Sequence, residues 1–146
     1  MKGLTILNHE YVIKVRGYEL DSFNHVNNAI YVNYFEAARW ELFRIYKHND
    51  VEFLEIIKRL GLHAVVVETH IKYLKELRLF DEVVVRSKLC YWNNFLFAEQ
   101  SICSLTNGRK IATATFKMVF VTEDERVFHD LPDFIKDNLE EVNLQI

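Results

Sequence analysis

One amphipathic stretch, residues 28 to about 48, is followed after Gly61 by four strand-like runs whose connections are too short for helical crossovers. Within the stretch, Tyr31, Tyr34, Phe35, Ala38, Leu42 and Ile45 recur at three- and four-residue steps, and Asn33, Glu36, Glu41, Arg44 and Lys47 fill much of the rest. That is helix periodicity with a wide apolar stripe. The runs at residues 62–73, 82–92, 95–105 and 109–122 are rich in β-branched and aromatic residues. Strands joined so closely form largely antiparallel pairs. The economical way to bury the helix stripe is against that sheet. The expected class is α+β, with a curved antiparallel sheet wrapped around one long central helix.

Smaller signals fit this frame. Tyr11, Ile13 and Val15 alternate with Val12, Lys14 and Arg16, which predicts a first strand over residues 9–17, apolar mainly on one face. Asn27 or Asn24 can cap the long helix. A second helix is expected from Val51 to Leu60, with Gly61 as its stop, and a short terminal helix after Pro132, to about Glu141. Asn93-Asn94 reads as a tight turn, and Asn107-Gly108 as a type I′ hairpin. With 146 residues, half of them apolar, the chain is long enough for one well-filled core, so a single domain over 1–146 is expected.

Charge and composition narrow the partners. A formal net charge of −3 gives no reason to expect nucleic acid. The stretch Met1–Glu10 lacks the apolar run of a signal peptide, and no segment approaches membrane-spanning length, so no membrane insertion and a cytoplasmic location are expected. Cys90 and Cys103 lie inside strand-like runs, with no CxxC, and read as buried free thiols of a reducing compartment. His63 and His70 fall on opposite faces of one strand by simple alternation. No His-Glu-x-x-His occurs, and no metal is expected.

The segment Tyr18-Glu19-Leu20-Asp21-Ser22-Phe23-Asn24-His25-Val26-Asn27-Asn28 carries the chemistry. It sets a carboxylate, an imidazole and three amides just before the long helix. Backbone N–H groups at a helix N-terminus point outward and favour negative charge. A carboxylate beside them pairs a base or nucleophile with a site able to polarise a carbonyl.

The string Asp21-Ser22-Phe23-Asn24-His25-Val26-Asn27-Asn28-Ala29-Ile30-Tyr31-Val32-Asn33-Tyr34-Phe35-Glu36-Ala37-Ala38-Arg39 resembles the motif of hotdog-fold acyl-CoA thioesterases of the 4-hydroxybenzoyl-CoA thioesterase type. Residues Glu68 to Val85 are similar to that family's second strand and the connection after it, and the likeness extends over roughly residues 9–122. The chain has Asn24 where many members carry Gly, and Glu76 where many carry Pro. The Asp-x-x-x-His-Val-Asn-Asn string is also similar to plant-type acyl-ACP thioesterases, which have Asn where this chain has Phe23.

The resemblance implies a hotdog fold and a thioester hydrolase that releases a free carboxylic acid and CoA. It makes Asp21 the catalytic carboxylate, acting as nucleophile or as general base on water. It makes the backbone of Asn28 the polarising donor. His25 would orient Asp21 or bond a substrate carbonyl, or be a polar loop residue. Asn27 would bind substrate or cap the helix, Tyr31 would line the acyl pocket or the core, and Asn94 would sit near the site or serve a plain turn. Glu36 would pair with Arg39 on the helix surface. Lys88, Arg109, Lys110 and Arg126 are candidates for the CoA phosphates. No cofactor is implied beyond CoA as part of the substrate. A homodimer, often paired into a tetramer, with sites at the subunit interface is implied. The alternatives are hydrolysis of acyl-ACP and a non-catalytic acyl-CoA-binding protein. A hydratase would need a longer Asp-to-His spacing than Asp21 to His25.

Overall fold

The computed structural model describes residues 7–143. The first six residues, part of the stretch read above for a leader, lie outside them. The sheet contains the strands β1 (Leu7–Lys14), β4 (Leu62–Tyr73), β5 (Glu82–Trp92), β6 (Phe95–Ser104) and β7 (Lys110–Thr122), in the order β1-β5-β6-β7-β4 with every neighbouring pair antiparallel. The helix α1 (Asn28–Ile45) lies over β1, β5 and β6. The hairpin of β2 (Lys47–His48) and β3 (Val51–Glu52) leads into α2 (Phe53–Arg59), which packs on both α1 and β4. Beyond β7, the pair strand β8 (Phe128–His129), the helix α3 (Asp133–Asn138) and β9 (Glu140–Glu141) complete the described chain. The last of these pairs in parallel with β5.

The helix stripe is buried as its periodicity requires. Tyr31, Tyr34, Phe35, Ala38 and Leu42 are all in the core, and Phe35 packs on Phe116 of β7 with ring centroids 5.6 Å apart. Removing the Phe35 ring would cost about 3–5 kcal/mol, the usual range for an aromatic deleted from a packed core. Two positions break the pattern. Ile45 is exposed at the helix end, where Phe43 is buried instead, and Arg39 is buried.

Four expectations of detail are corrected. The helix ends at Ile45 and not near His48, because Asn49 and Asp50 take left-handed φ values of 50° and 64° and close the β2–β3 hairpin. The second helix accordingly starts at Phe53. Asn107-Gly108 does not form a two-residue turn. Only Gly108 of the two is left-handed (φ 72°), and residues 105–109 make a longer loop in which the Gly108 N–H donates to the Ser104 carbonyl. A bulge at Val67 shifts the β4–β7 register between Val66 and Glu68. One extra residue reverses the alternation, so His63 and His70 share a face, opposite Val121 and Thr115, instead of opposing each other.

The placement of α1 decides where a site can form. It covers one side of the inner sheet face, α2 covers the start of β4, and the rest of β4 is only partly covered. On β4 the inward residues Val66, Thr69 and Tyr73, paired with the buried Met118, Phe116 and Ala112, remain exposed.

Candidate active site

The polar segment becomes a closed loop. Gly17–Glu19 form one 3-10 turn, Leu20 and Val26 bridge as an isolated antiparallel pair, and the Asp21 N–H donates to the His25 carbonyl at 2.8 Å. The Asn24 N–H returns to the Asp21 carbonyl at 3.1 Å, with Asn24 left-handed at φ 64°. That conformation explains the departure from glycine at this position. Asn is among the few residues that enter it readily.

Inside the loop the Asp21 carboxylate is oriented by backbone, not by the His25 ring. Oδ1 accepts the Phe23 N–H at 2.8 Å and the His25 N–H at 3.3 Å. No described residue bonds Oδ2, and the side chain is open to solvent. The His25 imidazole turns instead to Glu76, with Nε2 3.1 Å from a carboxylate oxygen. Thus Glu76, the residue that replaces the expected proline, brings the connection after β4 against the loop. The Val26 N–H donates to the Leu77 carbonyl and fixes the same contact.

The helix start is arranged beside this carboxylate. Asn27 Oδ1 caps α1 by accepting the Ala29 N–H at 2.9 Å, and the Ile30 N–H bonds the Asn27 carbonyl. The Asn27 side-chain oxygen is therefore engaged by the helix. The Asn28 N–H has no acceptor among the described residues. It is left pointing out of the helix end, where the aligned peptide dipoles favour negative charge. Tyr31 stands behind this point, buried, its ring edge-on to Tyr73 at 5.2 Å and its hydroxyl donating to the Lys75 carbonyl at 3.4 Å. The Tyr73 hydroxyl donates to the Asn28 carbonyl at 3.1 Å. Burial raises the Tyr31 phenol above its usual value, and the charge of Asp21 is near enough to add to the shift.

A buried carboxylate that the sequence reading passed over ties loop to helix. Glu19 is 4% exposed and accepts three bonds of 2.8 Å, from the Arg16 N–H, the Arg16 guanidinium and the Tyr34 hydroxyl. Its own carbonyl accepts the Asn27 N–H, so one residue holds both ends of the Asp21 loop. Burial pulls the Glu19 carboxyl up, but the bonds from Arg16 and Tyr34 outweigh it and hold the group below the ordinary value. Only a hint existed in the sequence, a carboxylate two positions before Asp21, since its partner is fifteen positions further on.

Other candidates lie elsewhere. Asn94 sits in the β5–β6 turn, at the end of β5 opposite to Glu82 and hence far from the Asp21 loop of the same chain. There it bonds Asp130 and accepts the Leu131 N–H, a tie between segments. The Glu36–Arg39 surface pair does not form. Glu36 accepts the Trp40 indole N–H at 3.2 Å, while Arg39 turns inward, donates to Gln100 at 3.0 Å and lies 4.0 Å over the Phe116 ring. Of the cations, Arg109 and Lys110 are at the Asp21 end of the sheet, Lys88 is mid-strand and Arg126 is at the far end. Lys75, not singled out from the sequence, shares a depression of about 290 Å³ with Arg109, Glu76 and Asp81. Among the described residues no three His, Cys, Asp or Glu side chains gather as a metal cluster, and no helix is long and apolar enough to cross a membrane.

A curved antiparallel sheet around one long helix, with a carboxylate loop at the helix start, is the hotdog architecture. Residues 15–139 match the thioesterase-like superfamily, and the chain belongs to it. It is 30% identical over 110 residues to the long-chain acyl-CoA thioesterase FadM of Escherichia coli, covering 75% of this chain and 80% of that one. It is 35% identical over 96 residues to the chloroplastic acyl-acyl carrier protein thioesterase ATL3 of Arabidopsis thaliana, covering 61% of this chain and 48% of that protein, so it spans about half the length of that plant relative. The solved structure of YbaW from Escherichia coli superposes with a TM-score of 0.78 at 25% identity, covering 90% of this chain and 99% of that one.

Proposed function

We propose that this hotdog unit hydrolyses acyl-CoA thioesters, with Asp21 and the Asn28 N–H as the reacting constellation. The observation that carries the reading is the pairing of a backbone-oriented carboxylate with the unpartnered N–H of a capped 18-residue helix. The thioester oxygen would accept the Asn28 N–H, which gains strength as the carbonyl becomes an oxyanion. Asp21 then acts in one of two ways. As base, it takes a proton from water, the hydroxide adds to the carbonyl, the C–S bond breaks, and the proton passes to the CoA thiolate. As nucleophile, it forms a mixed anhydride with loss of CoA thiolate, and water opens the anhydride. Both routes consume one water and release one acid and one thiol, so no cofactor beyond the CoA of the substrate enters. Single turnover in ¹⁸O-water separates them, because only the anhydride route can leave the label on Asp21.

The remaining site residues take supporting parts in this reading. His25 orients Asp21 through its main chain and borders the site through Glu76. Asn27 fixes the helix end, and the Tyr31 ring walls the acyl side. Lys75 and Arg109 are the cations best placed for the CoA phosphates. A homodimer, with a tetramer as its further assembly, is supported by the uncovered edge of β4, where Val66, Val67, Tyr73 and Leu74 are exposed. The buried free thiols Cys90 and Cys103 suit a reducing, cytoplasmic setting.

The test is thiol release from acyl-CoAs by the natural protein and by Asp21→Ala. The variant should lose about a thousandfold or more in kcat/KM, within the range for loss of a positioned acid–base group. Undiminished turnover in Asp21→Ala would remove Asp21 from the mechanism. Acyl-ACP hydrolysis is the second reading, favoured by the match to the plant acyl carrier protein thioesterase. A kcat/KM higher on acyl-ACP than on the same acyl group on CoA would select it. Absence of hydrolysis with either carrier, alongside measurable acyl-CoA binding, would make the protein a binder.

A further inference from the structure

The connection between β4 and β5, residues 74–81, is held from three sides. The Leu74 and Lys75 N–H groups both donate to the Ile111 carbonyl of β7. The Val15 N–H, just past β1, donates to the Asp81 carbonyl, and the Tyr31 hydroxyl of α1 reaches the Lys75 carbonyl. Leu77, in the middle, is buried. A segment tied in this way is a fixed wall. Glu76 stands where that wall meets the Asp21 loop. One of its carboxylate oxygens lies 3.1 Å from His25 Nε2, and the other accepts the Arg78 guanidinium at 2.9 Å. An ionised carboxylate only accepts, so Nε2 carries a proton and donates. Immediately beyond, the Val26 N–H donates to the Leu77 carbonyl at 2.9 Å. His25 is therefore gripped by its ring and by the peptide that follows it. Its own N–H is the more distant of the two donors to Asp21 Oδ1, at 3.3 Å against 2.8 Å for Phe23. A hydrogen bond of that length is lost on a small displacement.

We propose that Glu76 is a positioning residue for the reaction: by holding the His25 imidazole against the wall, it keeps the His25 N–H on Asp21 Oδ1 and the carboxylate in one orientation. The proposal rests on the thioesterase reading and adds to it a residue that touches neither the substrate nor the reacting atoms. Tyr31 reports the same neighbourhood. Its phenol, raised chiefly by burial, is pushed further by the charges of both Glu76 and Asp21, which sets the two carboxylates around one hydroxyl. The position of Glu76 separates its two possible kinds of influence. The His25 and Glu76 side chains are 30% and 51% exposed, so solvent screening leaves their pairing little weight in stability. Yet the pair joins two segments distant in sequence at the loop that carries the proposed base or nucleophile, where a misplacement of about 1 Å costs about a hundredfold in rate. Glu76 also lines the depression that holds Lys75 and Arg109, so a part in binding the carrier would appear in KM instead.

The test joins kinetics on an acyl-CoA to a signature of the imidazole itself. Glu76→Ala should lower kcat by about tenfold to a hundredfold, with KM not raised and the thermal unfolding midpoint unchanged. Glu76→Gln, whose amide oxygen still accepts the Nε2 proton, should recover kcat to within about threefold of the natural protein, since a neutral acceptor bonds more weakly than a charged one. Combined with His25→Ala, Glu76→Ala should add nothing, because the two residues act as one unit. In ¹⁵N spectra the His25 ring of the natural protein should carry its proton on Nε2. Glu76→Ala should move those ring signals and Glu76→Gln should preserve them. The proposal is overturned by full kcat in Glu76→Ala, by a rise in KM alone, by ring signals indifferent to Glu76, or by a fall in kcat that comes with a lower midpoint or a failure to fold. Each of these leaves the thioesterase reading standing, because the natural protein still turns over. Absence of hydrolysis by the natural protein overturns that reading and the role of Glu76 with it.

Discussion

The two halves of α1 face opposite problems. At its N-terminal end short hydrogen bonds fix the loop and the helix start: Asn27 accepts the Ala29 N–H, Glu19 accepts from Asn27 and Tyr34, and Asp21 Oδ1 accepts the Phe23 and His25 N–H groups. In its C-terminal half the helix instead borders a large apolar cavity, and a single buried cation, Arg39, supplies the main polar contact to the sheet. The first half is rigid because its hydrogen bonds leave the backbone few alternatives. The second half is open because the helix lies over β1, β5 and β6 and not over β4. The reacting groups of the proposed thioesterase require the fixed geometry of the first half.

The contrast is broken most severely at Glu19. Tyr34→Phe deletes the buried bond to a charged acceptor and should cost about 1.5–3 kcal/mol. The Arg16 guanidinium on the other side of Glu19 is half-exposed, so solvent screens part of its pull on the buried carboxylate. Since Glu19 holds the loop that carries Asp21, Tyr34→Phe should also lower kcat by about tenfold to a hundredfold with KM little changed, the effect expected when reacting groups lose their alignment. Denaturant titration and steady-state kinetics measure the two effects. Loss of stability with kcat intact would make the network a fold anchor only. A pH series adds a sign. Glu19 is held below its ordinary value of 4.5, so its stabilisation is complete above that value and is lost as pH falls through the lower folded one. In Glu19→Gln this part of the acid sensitivity disappears, and the stability gap between natural protein and variant should narrow as pH falls below 4.5.

Arg39 probes the other half. Burial pushes its guanidinium down to about 10, with Glu36 pulling the other way, so at neutral pH a charge without a carboxylate partner in contact sits in the core. Its stack on Phe116 and its volume offset that cost. Arg39→Ala should lose about 3 kcal/mol through the cavity it opens and the Gln100 oxygen it strands. Arg39→Met keeps most of the volume and removes the buried charge but still strands the Gln100 oxygen, and should lose about 1–2 kcal/mol, clearly less than the alanine variant. Urea midpoints decide the matter. If the methionine variant falls as far as the alanine one, the charge itself, and not the packing, holds helix to sheet.

The same division governs what could be read from the sequence. The helix stripe, the four strands, the Asn93-Asn94 turn and the polar loop before α1 are local patterns, and each stands where its periodicity or turn chemistry places it. The early end of α1 had a local signal in Asn49-Asp50, outweighed by the apolar spacing that runs on to Ile45. The bulge in Val65-Val66-Val67 had none, because three identical residues offer no choice of which one slips, and so the faces of His63 and His70 came out wrong. Arg39 occupied a stripe position, three residues from a carboxylate, and a surface pair was the natural reading. Its burial depends on Gln100, sixty-one positions away. The cavity is the least legible feature, since a space is defined by where a helix does not pack. Tyr34 looked like a core residue and is one, but its hydroxyl is what fixes Glu19, a bond no spacing rule foretells.

The smallest expected effects test how much of the rigid end comes from backbone alone. Asn27→Ala removes the cap and should cost about 1 kcal/mol. Asn24→Ala places a side chain without Asn's local polar contacts in a left-handed residue at φ 64° and should cost a similar 1–2 kcal/mol. Asn24→Gly is the sharper case. Glycine enters that conformation without strain but loses more freedom on folding, so the two terms oppose each other and the net change should stay within about 0.5 kcal/mol. Thioester hydrolysis by Asn24→Gly should likewise match the natural protein, because the Asn24 side chain bonds no described residue while its N–H, which closes the turn to Asp21, is retained. A loss of turnover with stability unchanged would show that the Asn24 amide reaches the substrate, and the loop would then contribute a side chain to the site beyond Asp21.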